Sequence, residues 1–186
     1  MSLQGAILDD YQSVAMKVAD WSDLAKDVSF KVFTEGLGGQ DKVIAALKDC
    51  AVVCLMRERT PFGADVINAL PALKLIVTSG MRNAAIDVAA AAARGIPVCG
   101  TESLGSPTAE LTIGLIIELA RKIGIENARL KAGSRWQSTL GIDLNGKTLG
   151  IIGLGKLCNS CAAPGLAASS PTTWASARRC RPWRIS

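Results

Sequence analysis

The chain has 186 residues, a formal net charge of +5, 49% hydrophobic residues and no histidine. That length fits one domain, or one domain with part of a second, and the apolar share is too high for a disordered chain. Without histidine, no Ser-His, Cys-His or Glu-His proton-transfer unit can be assembled from these residues alone, and the commonest metal ligand is missing.

In chain order, the start Met1–Gly5 has no basic region and no long apolar run, so no signal peptide is expected. Short apolar runs then recur: Ala6–Leu8, Val28–Phe33, Ala51–Met56, Leu73–Thr78 and Ile96–Cys99. Each is partly β-branched and bounded by turn or charged residues, which predicts a strand. Helical patterns are read in the intervals. Val43, Ile44 and Leu47 share a face; Pro61 opens a run in which Val66, Ile67 and Leu70 face one way; Ile86–Arg94 is alanine-rich, with Gly95 as the residue just past its end.

Alternation of this kind predicts an α/β fold: a doubly wound, flavodoxin-like parallel sheet of five βα units. Ligands of such sheets bind beyond the carboxyl ends of the strands, which directs attention to Arg57–Pro61, Ser79–Ala85 and Gly100–Pro107.

A longer helix follows, with Ser106 as its N-cap and Pro107 at its first position. Leu111, Ile113, Leu115, Ile116, Ile117 and Leu119 make it apolar nearly all round, so it is expected to be buried between domains or subunits. Its charged far part, Arg121–Lys131, is read as a continuation ending before Gly133, and Glu110 as a first-turn acid favoured by the helix dipole. The stretch Leu111–Ala120 is too short for a membrane span, so a soluble cytoplasmic protein with reduced cysteines is expected.

Thr148–Ile152 then reads as a buried strand running into Gly153-Leu154-Gly155-Lys156-Leu157-Cys158. The first glycine permits a tight turn and the second lets a pyrophosphate approach the backbone, as in a dinucleotide-binding turn. The third small position holds Cys158, and no acid follows Asp143 to hold a ribose. Residues 158–186 differ in composition: they hold three cysteines, four arginines and no acid. They read as an irregular tail, the product of out-of-frame translation, with no metal site and no nucleic-acid role.

The segments Met56–Pro61, Leu73–Asp87, Gly95–Thr101, Pro107–Thr112 with Leu119–Arg121, and Gly146–Gly155 together resemble the amino-terminal part of the D-isomer-specific 2-hydroxyacid dehydrogenase family. The resemblance implies a substrate (catalytic) domain over residues 1–105. It also implies a connecting helix and the start of an NAD-binding Rossmann domain over 106–157. By resemblance, the activity is hydride transfer between NAD and C2 of a D-2-hydroxy acid, with an Arg, a Glu and a His as catalytic residues. None of those three has a counterpart here, so the chain is expected to be truncated and inactive, with no catalytic residue of its own.

The positions that carry over are Gly153, Gly155, Lys156, Leu157 and Met81 for the cofactor, and Arg57, Ser79 and Gly80 for the substrate. The family loop beginning at Ser79 usually has a second glycine where this chain has Arg82. The small-molecule partner implied is a 2-hydroxy or 2-oxo acid, without nucleic acid or membrane. The alternative reading is a non-catalytic module that dimerises or associates through the Pro107–Arg121 helix.

Overall fold

Strand β1 (Leu3–Ile7) lies between β2 (Val28–Val32) and β3 (Val52–Leu55), and β4 (Leu75–Thr78) and β5 (Val98–Gly100) extend the sheet on the β3 side. This arrangement is that of a computed structural model, which describes residues 2–104, 106–149 and 183–184. The order β2-β1-β3-β4-β5 and the parallel pairing throughout are those of the expected flavodoxin-like α/β sheet. The chain divides into two compact units, Met1–Ser103 and Leu104–Ser186.

In the first unit the pairing register aligns Ala6, Val53, Ile76 and Val98 across four strands, so these side chains share one face. Helices α1 (Gln40–Leu47), α2 (Ala64–Ala69) and α3 (Val88–Ala93) lie in the connections after β2, β3 and β4. Their Val43, Leu47, Val66, Ile67 and Ala91 join Ala6, Leu8, Val53, Leu55 and Ile76 in one core. Each fully buried aliphatic side chain there contributes roughly 1.5–3 kcal/mol relative to exposure. The alternate positions Cys54, Leu75 and Val77 are half-buried and Cys99 is exposed, so the helical layer covers one face of the sheet more completely than the other.

Three details of this unit differ from the sequence expectation. Between β1 and β2 the chain forms only a short 3-10 turn, Leu24–Lys26, where a βα unit was expected. Acidic side chains take up the backbone there. The Asp10 carboxylate accepts from the N–H groups of Val14 and Ala15, and Asp20 accepts from Ser22. Helix α2 begins at Ala64, because Phe62 is drawn into a parallel bridge with Ile86 and is fully buried. Helix α3 begins at Val88, with the Asp87 carboxylate accepting from the Ala90 N–H. Its far end fulfils the expectation. Gly95 has φ +66, and the N–H groups of Gly95 and Ile96 return to the carbonyls of Ala92 and Ala91.

In the second unit, α4 spans Ser106–Arg121 and α5 spans Ile123–Lys131. The single helix expected through Lys131 is broken at Lys122, which has φ +56. Glu118 stabilises the break: its carbonyl accepts from the Lys122 N–H and its carboxylate from the Gly124 N–H. Because α4 starts at Ser106, that residue is helical and not the N-cap, and Glu110 falls in the second turn, beyond the reach of the dipole argument.

Within the single chain the apolar residues of α4 are largely exposed. Leu111, Leu115 and Leu119 are 63%, 53% and 68% exposed, and only Ala109 and Ala120 are buried. The loop after α5 is tied back by Glu126, whose carboxylate accepts from the backbone and hydroxyl groups of Ser138 and Thr139. The Thr139 hydroxyl leads these bonds in holding the Glu126 carboxyl below its usual range. Thr148–Leu149 pairs antiparallel with Trp183–Arg184. The rest of the expected Thr148–Ile152 strand, and the tail read as out-of-frame apart from Trp183–Arg184, lie outside the described residues.

Candidate functional site

The loops at the carboxyl edge of the sheet turn by a shared device. Two residues after the ends of β1, β3 and β4 stand Asp9, Arg57 and Gly80, with φ of +59, +53 and +86. Glycine adopts this left-handed region freely and aspartate tolerates it. An arginine there costs roughly 1–2 kcal/mol, so its surroundings must hold it.

Both backbone polar groups of Arg57 are held by side chains of the loop after β4. The Arg57 N–H donates to Ser79 Oγ at 3.1 Å, and the Arg57 carbonyl accepts from Asn83 Nδ2 at 2.5 Å. The Ser79 hydroxyl in turn donates to the Met56 sulfur at 3.2 Å. The guanidinium lies against Gly80: a Cβ at Gly80 would collide with Nη1 of Arg57. Its nearest acid is Glu58, with Nε to Oε2 at 3.9 Å and both side chains about half exposed. A pair so long and so wet leaves the guanidinium available to another anion.

The loop itself is anchored to its neighbours. The N–H of Ser79 donates to the Leu55 carbonyl at 3.0 Å, and the N–H of Gly80 donates to Thr101 Oγ1 at 3.0 Å. Gly100 is required for this closeness, since a Cβ there would lie 2.7 Å from the Gly80 carbonyl oxygen and 2.9 Å from Met81 Cα. Among the described residues, no acceptor takes the N–H of Met81 or Arg82. Arg82, standing where the resemblance leads one to expect glycine, keeps an ordinary negative φ, so it imposes no strain on the turn. An open cleft of about 470 Å³ lies along this loop, lined by Thr78, Met81, Arg82, Asn83, Val98 and Gly100 among others.

A second cluster supports the β3 loop from the β1 side. Asp9 is 2% exposed; its carboxylate accepts from Thr60 Oγ1 at 2.7 Å and from the Tyr11 hydroxyl at 3.1 Å. Arg59 donates from Nη1 to the Asp9 carbonyl at 2.9 Å and lies over the Tyr11 ring at 4.9 Å. Arg59 is therefore engaged, unlike Arg57, although both belong to one short loop. Burial also pushes the thiol of Cys54 up to about 11, so it stays protonated at neutral pH.

Of the residues singled out in the sequence, Arg57, Ser79 and Gly80 are brought together. Met81 adjoins them and is 70% exposed. Gly153, Gly155, Lys156 and Leu157 lie outside the described residues. Asn83, Thr101, Asp9 and Thr60 were not singled out. Asn83 and Asp9 stand in turn-forming stretches where Asx side chains bond the backbone, which is the one local signal they carry.

Comparison with known proteins agrees with this architecture. The chain is 40% identical to D-3-phosphoglycerate dehydrogenase of Homo sapiens over 121 residues, covering 63% of this chain and 22% of that protein. It is 40% identical over 121 residues to the enzyme of the same name from Methanocaldococcus jannaschii, covering 63% and 23%. The solved phosphoglycerate oxidoreductase from Vibrio cholerae O395 superposes with a TM-score of 0.78 at 34% identity, over 86% of this chain and 51% of that one. The chain thus spans about a quarter of the length of these curated relatives, and about half of that solved chain. The family described as D-isomer specific 2-hydroxyacid dehydrogenase, catalytic domain, matches residues 6–180, past Leu157 where the resemblance by motifs stops. With sheet order, segment order and family match in agreement, the chain belongs to the D-isomer specific 2-hydroxyacid dehydrogenase family.

Proposed function

We propose that residues 1–105 are the substrate domain of an NAD-dependent D-2-hydroxyacid dehydrogenase, and that Arg57 with the Gly80–Arg82 backbone takes the carboxylate of a 2-hydroxy or 2-oxo acid. The observation that carries this reading is the placement of the Arg57 guanidinium on Gly80, beside two N–H groups without acceptors among the described residues. Successive N–H groups after a left-handed residue form a concave anion seat, and a guanidinium above it adds charge-assisted hydrogen bonds. Residues 106–157 are the connecting segment and the start of the cofactor domain, and 158–186 a tail of different composition.

NAD, when bound, supplies the hydride chemistry at C2, and Gly153, Gly155, Lys156 and Leu157, with Met81 from the substrate side, are the residues assigned to it. This chain's own contribution is to bind and orient the acid. With no histidine in 186 residues, it lacks the group that would move the hydroxyl proton in the family's manner. We place the protein in the cytoplasm; free thiols at Cys50, Cys54 and Cys99 suit a reducing compartment. Among the described residues no helix is long and apolar enough to cross a membrane.

The test has two arms on the pure chain. D-lactate and D-glycerate should bind saturably, and Arg57→Ala should weaken that binding by about 10–100-fold, as for a lost charge-assisted bond. NADH should not be consumed with any 2-oxo acid. Absence of binding would remove the site assignment, and turnover would remove the assignment of a binding role without catalysis.

The exposed stripe Leu111, Leu115 and Leu119 on α4 favours a second reading, a dimerising or interaction module. Spaced four residues apart, they line one helix face. Sedimentation should show self-association that Leu115→Glu reduces at least tenfold; a monomeric wild-type chain at high concentration would discard this reading.

A further inference from the structure

Asn83 stands in the loop after β4, one residue past Arg82, and each polar atom of its amide is engaged. Its Nδ2 donates both hydrogens, to the Arg57 carbonyl at 2.5 Å and to Thr78 Oγ1 at 2.9 Å. Its Oδ1 accepts from the Ala85 N–H at 2.9 Å. These partners fix which way the amide points. Turned over, it would set Oδ1 against the Arg57 carbonyl and an NH2 group against the Ala85 N–H.

Thr78 is 3% exposed at the end of β4, so the amide is moored to the sheet and not to another mobile loop. Locally Arg57 is held only as the second residue of the Met56–Arg59 turn, which is closed by a long bond of 3.4 Å from the Arg59 N–H to the Met56 carbonyl, and its φ of +53 is one an arginine leaves unless held further. The N–H and carbonyl of Arg57 are gripped by Ser79 and Asn83, which bracket the Gly80 on which the guanidinium lies. If the Arg57 backbone relaxed to negative φ, its carbonyl would swing from Asn83 and its side chain would leave Gly80.

We propose that Asn83 is a positioning residue. By donating to the Arg57 carbonyl it holds Arg57 in the left-handed conformation that lays the guanidinium over Gly80. This rests on the reading of Arg57 as the carboxylate-binding residue. The loop after β4 then both supplies the backbone seat and sets the arginine of the loop after β3, so the two halves of the anion site are aligned by one amide.

Asn83→Asp separates this role from simple turn formation. The aspartate keeps an oxygen for the Ala85 N–H but loses both donors and sets a second acceptor against the Arg57 carbonyl. On the full 186-residue chain, isotope-labelled for NMR, wild type should show Arg57 carbon shifts of a left-handed residue and saturable D-glycerate binding. In Asn83→Asp the Arg57 shifts should move to ordinary values and the Kd should rise at least about fivefold, as for one lost hydrogen bond, with the β1–β5 signals unchanged.

Wild-type values for both in Asn83→Asp would overturn the proposal and leave Asn83 a turn-former. If wild type binds no D-glycerate, the carboxylate reading fails on its own. The Arg57 shifts then decide the positioning role, altered shifts upholding it and unaltered ones overturning it. Should the variant not fold, the through-hydrogen-bond coupling from Asn83 Nδ2 to the Arg57 carbonyl carbon in wild type decides: detected, it upholds the hold on Arg57; absent, it overturns it.

Discussion

Tyr11 is the only tyrosine in the chain, so phenolate absorbance reports on one residue and on the cluster it joins. Its hydroxyl donates to the buried Asp9 carboxylate, and that bond, with some desolvation and the Asp9 charge, raises its pKa above 10.0 against the lowering effect of Arg59. The protonated phenol is therefore the form the fold favours. Its contribution is fully present below the unfolded pKa and is lost as pH rises through the folded one. A spectrophotometric titration should give a midpoint above 10.0, and Asp9→Asn should bring it back toward that value. Asparagine tolerates the left-handed backbone at position 9, so this variant changes the charge and not the turn. An unchanged midpoint would mean that the Asp9–Tyr11 bond does not form in solution. At this scale the sequence was partly readable. Gly80 is a glycine where φ is +86, and a glycine in a turn invites that assignment. Arg57 offers no such cue. Beyond a long turn bond from Arg59 to Met56, its backbone is held by Ser79 and Asn83, more than twenty residues away, and the register of β3 against β4 brings them together.

Among the elements, the strands were the most legible, because each apolar run is short and closed by turn residues, and helices in the intervals after β2, β3 and β4 imply parallel pairing with right-handed crossovers. Boundaries were less so. The run that Pro61 opens becomes helical only at Ala64, because burial of Phe62 in a bridge to Ile86 overrides the local pattern. The Asp9–Asp27 interval gave no helix because its aspartates compete for backbone N–H groups. Helix α3 shows how local chemistry and packing share the work. Six residues are too few for an isolated helix, even with five alanines. The helix persists because Ala91 is fully buried, Asp87 caps its start and Gly95 closes its end. Arg94 then donates to the carbonyls of Ile67 and Leu70, closing the end of α2 with the end of α3. Asp87→Ala should cost about 1 kcal/mol in urea unfolding, the usual loss for an N-cap acid. A change below a few tenths would show that packing at Ala91 sets this helix without the cap.

At the scale of the whole chain, the distribution of buried side chains separates the two units more sharply than length or composition could. Every member of the hydrophobic core lies between Ala6 and Ile96. The second unit buries only Ala109 and Ala120 among its hydrophobic residues in the described part, and leaves Leu104, Trp136 and Leu140 at 82%, 79% and 92% exposed. A sheet of five paired strands with one layer of helices meets the minimum for independent stability, and a hundred-residue domain buries enough apolar surface to fold alone. The candidate site also lies within this unit, since Arg57, Ser79, Gly80, Asn83 and Thr101 all precede Ser103. A fragment of residues 1–103 is therefore expected to unfold in one cooperative thermal transition, with an enthalpy of about 70 kcal/mol at its midpoint. Its amide signals for β1–β5 should overlay those of the full chain. A fragment with a broad, non-cooperative transition would show that the sheet depends on residues after Ser103, and the half-buried positions Cys54, Leu75 and Val77 are where that dependence would be sought.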